Sequence, residues 1–248
     1  MDHLEHCDAL EAEIALFAEV LDRADTEAPV PSCPGWSVLD LAEHTGRMHR
    51  RAEYLVRNLV PGRTAIPPAV DAGGPFDGAW IHRGGTRLLS TLRQTDPGLD
   101  MWAWGADQHV RFWSRRQHHE TLVHRVDLQL AVGRQPRVDV GSATDAIDEF
   151  LVNLSAATTF SPRIDELRNT RGRLAFRDAH TGRRWVVGWD PSGVGLARDT
   201  GPVDAEVTAA GPDLLLVLYR RRSVDDIDCL VDGDRGQVRM WLDHSALE

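Results

Sequence analysis

Apolar residues recur at three- and four-residue intervals through the first part of the chain. Leu10, Ile14, Phe17, Val20 and Leu21 fall on one face of a helix running from Leu4 to about Ala24. Pro29–Pro34 reads as a turn. The following Ser37-Val38-Leu39-Asp40 has the form of a capping box, the serine hydroxyl accepting an orphan N–H while the acidic side chain reaches back. It predicts a second helix from there to about Leu59, ahead of a Pro- and Gly-rich loop over Pro61–Phe76. A third helix is expected over Ala79–Gln94, a long one over Gln108–Val132 ending at Gly133, and a fifth over Thr144–Thr158. Five helices, four of them long, predict an up-down bundle.

Around Ser161–Thr170 the texture changes. Arg173–Asp178, Arg184–Asp190, Gly193–Arg198 and Ala205–Ala209 are short β-rich pieces separated by turns such as Thr181-Gly182 and Asp190-Pro191-Ser192-Gly193. Helices are expected from Pro212 to about Arg221 and over Gln237–Leu247, and the acidic pairs Asp225-Asp226 and Asp232/Asp234 read as solvated turns. The pattern predicts two domains, a helical bundle over 1–165 and a small α+β domain over 166–248.

Composition narrows the function. The 248 residues carry a formal net charge of −10, which gives no electrostatic reason to hold a nucleic-acid backbone or an anionic membrane. No apolar run approaches the ~18–20 residues of a membrane helix, and the opening MDHLEHCDALEAE does not read as a signal peptide, so a soluble cytoplasmic protein is expected. All 28 basic residues are arginine. The absence of lysine removes Schiff-base chemistry, pyridoxal phosphate and the P-loop lysine. The three cysteines, Cys7, Cys33 and Cys229, are far apart and form no CxxC pair, which argues against a disulfide framework or a thiolate zinc knuckle. Histidine is abundant, with 11 copies.

Several of those histidines sit on the long helix. Glu120 and His124 are one helical turn apart, ~5–6 Å at Cβ, so a carboxylate oxygen and an imidazole nitrogen can reach one divalent ion through bonds of ~2.0–2.2 Å. Asp127 falls on the same face and can orient His124 by taking its other ring N–H. A third ligand must come from another helix. His44 is the best donor, sharing a face with Leu41, Met48 and Leu55 that points inward. His118 and His119 remain as alternative ligands or as a polar face. Three protein ligands with one place left open is the pattern of catalytic zinc.

Two segments carry a resemblance. Cys33-Pro34-Gly35-Trp36-Ser37-Val38-Leu39-Asp40-Leu41-Ala42-Glu43-His44, followed by Trp113-Ser114-Arg115-Arg116 and His119-Glu120-x-x-x-His124-Arg125-x-Asp127, resembles the mycothiol-dependent maleylpyruvate isomerase family. The resemblance implies a DinB-like helical domain binding one Zn²⁺ and a small domain similar to sterol carrier proteins. It carries the metal ligands onto His44, Glu120 and His124. The open metal position would take mycothiol, a thiol of actinobacteria, whose thiolate would add to the activated double bond of maleylpyruvate, allow rotation and leave fumarylpyruvate. In transferase relatives the thiolate stays attached to an electrophile. The expected partners are therefore this small thiol and a small organic acid or electrophile, with no nucleic acid or membrane.

The same resemblance implies an arginine that holds the substrate anion. Leu214–Arg222 resembles the family's LLLWLWGR helix and places that arginine at Arg221, with Arg222 next; Arg220 stands where the family usually has glycine and Tyr219 where it has tryptophan. A bland reading puts the three arginines on a solvated helix end facing its dipole. Trp36, His119 and Cys33 read as packing residues, and Trp102, Trp104 and Trp113 as core. Two further readings keep the fold: a thiol-independent zinc enzyme, and a non-catalytic metal-binding protein, against which the intact His44/Glu120/His124 triplet argues.

Overall fold

In the computed structural model, which describes residues 1–70, 73–197 and 200–246, helix α1 (His3–Leu21) opens on a reciprocal cap between Asp2 and Glu5. Its buried stripe includes Cys7, Leu10, Ile14, Phe17, Val20 and Leu21, the face expected from spacing. Helix α2 (Val38–Arg57) begins on the expected box. The Asp40 amide donates to Ser37 Oγ at 3.2 Å and the Ser37 amide to Asp40 Oδ2 at 2.8 Å. Helices α3 (Gly78–Gln94) and α4 (Val110–Ala131) follow, and Gly133 takes φ +70° just past α4, a left-handed turn that favours glycine.

These helices pack α1 and α2 each against both α3 and α4. Gly46 lets α2 approach α3: a Cβ there would come within 1.9 Å of the Trp80 ring. Arg50, one turn on, lies 3.6 Å from the centre of that ring and donates to the Trp80 carbonyl. Helix α4 is the interior element. It buries polar Ser114, Arg116, Gln117, His118, His119, Arg125 and Asp127 along with its apolar residues. Buried polar groups of this kind need partners, and those partners shape the site.

The chain divides into two compact units, Met1–Ala103 with Asp107–Arg137, and Trp104–Ala106 with the chain from Val138 onward. The bundle therefore has four helices where five were expected, and the division falls at residue 137/138 instead of near 165. The physical reason lies in α5 (Val140–Asn153), which packs on α7 (Gly211–Leu218) of the second unit. Its Phe150 ring meets Tyr219 at 5.0 Å and Trp241 at 6.5 Å.

The second unit carries a five-stranded sheet in the order β3-β2-β1-β4-β5. Strands β1 (Gly172–Asp178), β2 (Arg184–Asp190) and β3 (Gly193–Leu196) form an antiparallel meander, and β4 (Ala205–Ala209) joins β1 in parallel. Arg198, the expected end of the third strand, lies outside the described residues, as does Leu247 at the expected end of the last helix. Strand β5 (Cys229–Gly233) was not foreseen. It is an edge strand with Leu230 67% exposed, so the inside–outside alternation that marks a strand is weak there. Asp232 consequently lies in a strand, and Asp234 caps α8 (Arg235–Ser245) by accepting from the Gly236 and Gln237 amides. A short α6 (Arg163–Glu166) sits between two 3-10 turns before the sheet. Among the described residues no helix is long and apolar enough to cross a membrane.

Candidate metal centre

The α2–α4 packing brings His44 and the Glu120/His124 pair together. His44 Nε2 and His124 Nε2 both lie 3.2 Å from the same oxygen, Glu120 Oε1. Donors 2.0–2.2 Å from a tetrahedral ion stand ~3.4 Å apart, so both distances to Glu120 Oε1 match the spacing that an ion needs, and all three ligand atoms lie within 4.8 Å of one another. The other Glu120 oxygen accepts from Arg116 Nη2 at 2.7 Å. Arg116 thus occupies one side of the carboxylate and leaves Oε1 to the two histidines. Burial pushes the Glu120 carboxyl up, but Arg116 and the hydrogen bonds from His124 and His44 outweigh it and hold the group well below its ordinary range.

His124 is fixed from behind. Its Nδ1 lies 2.9 Å from Asp127 Oδ2, which leaves Nε2 for the site. Burial lowers the imidazole pKa, while Asp127 and Glu120 together raise it to about 9. Asp127 is itself fully buried and accepts from Ser32 Oγ at 2.6 Å and from Cys33 Sγ at 3.6 Å. Trp36 then lies against both histidine rings, 4.9 Å from His44 and nearly parallel to His124 at 6.4 Å. The loop before α2 therefore supports both imidazoles. Side-chain exposure falls from 31% at His44 through 22% at Glu120 to 12% at His124, so the group opens to solvent on the His44 side. Two imidazole nitrogens and one carboxylate, backed by a second carboxylate, make a donor set that suits Zn²⁺.

The remaining expected residues fall elsewhere. His118 and His119 turn away from the triplet toward α1, where they meet His6. Trp113 is buried, its indole N–H donating to the Trp102 carbonyl at 3.2 Å, whereas Trp104 belongs to the second unit and meets Phe160. Arg221 and Arg222 also lie in the second unit, beyond the end of α7, which stops at Leu218 and not near Arg221. Arg220 takes φ +59°, and the Arg221 and Arg222 amides both return to the Leu216 carbonyl. The glycine of the resembling helix corresponds to this left-handed position. The Arg221 guanidinium donates to the Tyr219 carbonyl at 2.7 Å and that of Arg222 to Asp213 Oδ1 at 3.0 Å.

Three supporting residues were missed from the sequence. Arg116 was legible, being one helical turn before Glu120 on the same face. Ser32 carried no signal, because its contact to Asp127 spans the fold. Arg125, part of the quoted motif, reaches across to α1 and forms a bidentate pair with Glu13 at 2.7 and 2.9 Å.

The geometry defines a class first: a helical bundle with an open-faced two-histidine, one-carboxylate centre, in a chain whose second unit is α+β. Residues 7–129 match the family model of the mycothiol maleylpyruvate isomerase N-terminal domain. A crystal structure of the mycothiol-dependent maleylpyruvate isomerase matches with a TM-score of 0.55 at 13% identity, over 92% of this chain and 93% of that one. A histidine-to-alanine mutant of that isomerase matches with a TM-score of 0.56 at 12% identity and the same coverage. At such identities the likeness shows a shared fold across both units. No curated protein sequence matches the chain.

Proposed function

We propose that this chain is a metal-dependent enzyme that uses mycothiol, acting as an isomerase of maleylpyruvate-like acids or transferring the thiol to an electrophile. The observation that carries the reading is the convergence of His44 Nε2 and His124 Nε2 on one oxygen of Glu120. In this reading His44, Glu120 and His124 hold Zn²⁺, which when bound acidifies a thiol coordinated beside it and so supplies a nucleophilic thiolate at neutral pH. Asp127 sets the His124 tautomer and ring angle, and Arg116 keeps Glu120 ionised. The exposed side of His44 is the approach for thiol and substrate. Arg221 and Arg222 supply the positive charge that an anionic keto acid requires, a role only arginine or a charged histidine can take in a chain without lysine.

The test is metal content by mass spectrometry, then calorimetric titration of mycothiol into the metal-loaded and metal-free protein. Zinc at the triplet, lost in His44→Ala and His124→Ala, together with metal-dependent thiol binding supports the proposal. Unchanged metal content in both variants overturns the site. Zinc without thiol binding overturns the mycothiol part in favour of thiol-independent chemistry on the same fold.

A further inference from the structure

Helix α4 presents a second group of histidines to a different neighbour. His6, in the first two turns of α1, places its Nδ1 3.1 Å from Nδ1 of His118. The ring centres of His6 and His118, His6 and His119, and His118 and His119 are 5.4, 5.5 and 4.7 Å apart. One nitrogen from each ring lies within 4.8 Å of the other two. All three residues are buried, at 3%, 0% and 0% exposure. At ~100° per residue His118 stands ~160° around α4 from Glu120, so helical phase separates this group from the His44 triplet.

Burying three imidazoles between two helices costs desolvation that leucine or phenylalanine would not incur. An ion bound by three nitrogens recovers that cost. The 3.1 Å between the Nδ1 atoms of His6 and His118 is close to the ~3.3 Å edge of a tetrahedron with metal–nitrogen bonds of 2.0–2.1 Å. Three imidazole nitrogens and no oxygen ligand suit a borderline transition ion and disfavour the hard cations Mg²⁺ and Ca²⁺. Deep burial leaves no open face for a substrate. We propose that His6, His118 and His119 form a second metal site, taking a divalent ion such as Zn²⁺, Co²⁺ or Ni²⁺ and stapling α1 to α4.

The experiment is a count of tightly bound ions on the metal-stripped full chain, titrated with Zn²⁺ against a competing chelator and repeated with Co²⁺ for its absorption spectrum. Two equivalents are expected in the wild type. His124→Ala should retain one, and Zn²⁺ should still raise its melting temperature. His6→Gln should retain the other, and the His6→Gln/His124→Ala double variant should show neither binding nor the thermal shift. One equivalent in the wild type that His124→Ala abolishes overturns the proposal and leaves the three rings as a hydrogen-bonded cluster. Two equivalents persisting in His6→Gln also overturn it, and should that variant fail to fold, His119→Gln decides the point in the same way. Failure of the His44 triplet would appear differently, as unchanged binding in His124→Ala.

Discussion

Arg125 lies inside the segment that carries the proposed metal ligands, yet its contacts point to architecture. The guanidinium is 2% exposed and pairs bidentately with Glu13 of α1, while its Nη1 also donates to Gln129 Oε1 at 2.8 Å and to the Arg137 carbonyl at 3.0 Å. Replacing it with methionine keeps much of the volume but leaves the Glu13 carboxylate, only 9% exposed, without its counter-charge. Breaking a buried pair in this way costs about 3–5 kcal/mol, a third or more of the stability of many domains. Converting Glu13 to leucine in the same chain removes the stranded charge. The double variant should then lie within about 1–2 kcal/mol of wild type, that remainder being the two lost hydrogen bonds to Gln129 and Arg137. The double variant should therefore be more stable than the methionine single by roughly 2–3 kcal/mol. Urea unfolding followed by circular dichroism on wild type, both single variants and the double measures it. A methionine variant within about 1 kcal/mol of wild type, or a double variant no more stable than the methionine single, would refute the reasoning and return Arg125 to the list of functional candidates.

Arg220→Gly should stabilise the chain by about 0.5–1 kcal/mol, because φ +59° suits glycine and the ion pair it gives up, to Asp243 at 3.3 Å, is exposed and worth little; a lower melting temperature would contradict this. His49 is fully buried with Nε2 2.9 Å from Thr121 Oγ1, and burial, reinforced by Arg50, lowers its pKa from 6.5 to about 3. The neutral imidazole therefore contributes stability that is complete above pH 6.5 and declines by up to about 1.4 kcal/mol per pH unit as pH falls toward 3. Melting curves between pH 7 and 4 should show a shallower loss in His49→Gln than in wild type, and parallel losses would disprove the assignment. Asp127→Asn should weaken Zn²⁺ binding by ~10–100-fold in chelator competition while the fold persists, whereas wild-type affinity would mean that the carboxylate does not support His124.

The helices α1 to α4 were legible because each shows the spacing or capping pattern that local physics imposes. Glu120, His124 and Asp127 share a face of one helix, so their proximity could be read directly. The α2 contribution could be narrowed to His44 by periodicity, although an inward-facing side chain was expected and the residue instead stands at the open rim. What spacing could not reveal was partnership across the fold. Ser32 with Asp127 and Arg125 with Glu13 are separated by 95 and 112 positions, and no local pattern links them. The same limit hid the allegiance of α5, whose amphipathic face says that it must pack but not on which neighbour. Arg220 shows the opposite case: arginine where a related helix has glycine marked an irregularity in sequence, and the backbone there is indeed left-handed.

The support from the loop ahead of α2 bears on protein engineering. Ser32, Cys33 and Trp36 come from five consecutive residues, and between them they hold Asp127 and lie against the rings of both His44 and His124. Transplanting the three ligands onto two helices of another scaffold would carry over the donor atoms without the brace that aims them. The smallest portable version of the proposed centre is therefore the loop with both helices, and a graft designed from the helices alone should hold a metal ion more loosely and with less selectivity than one that includes the loop.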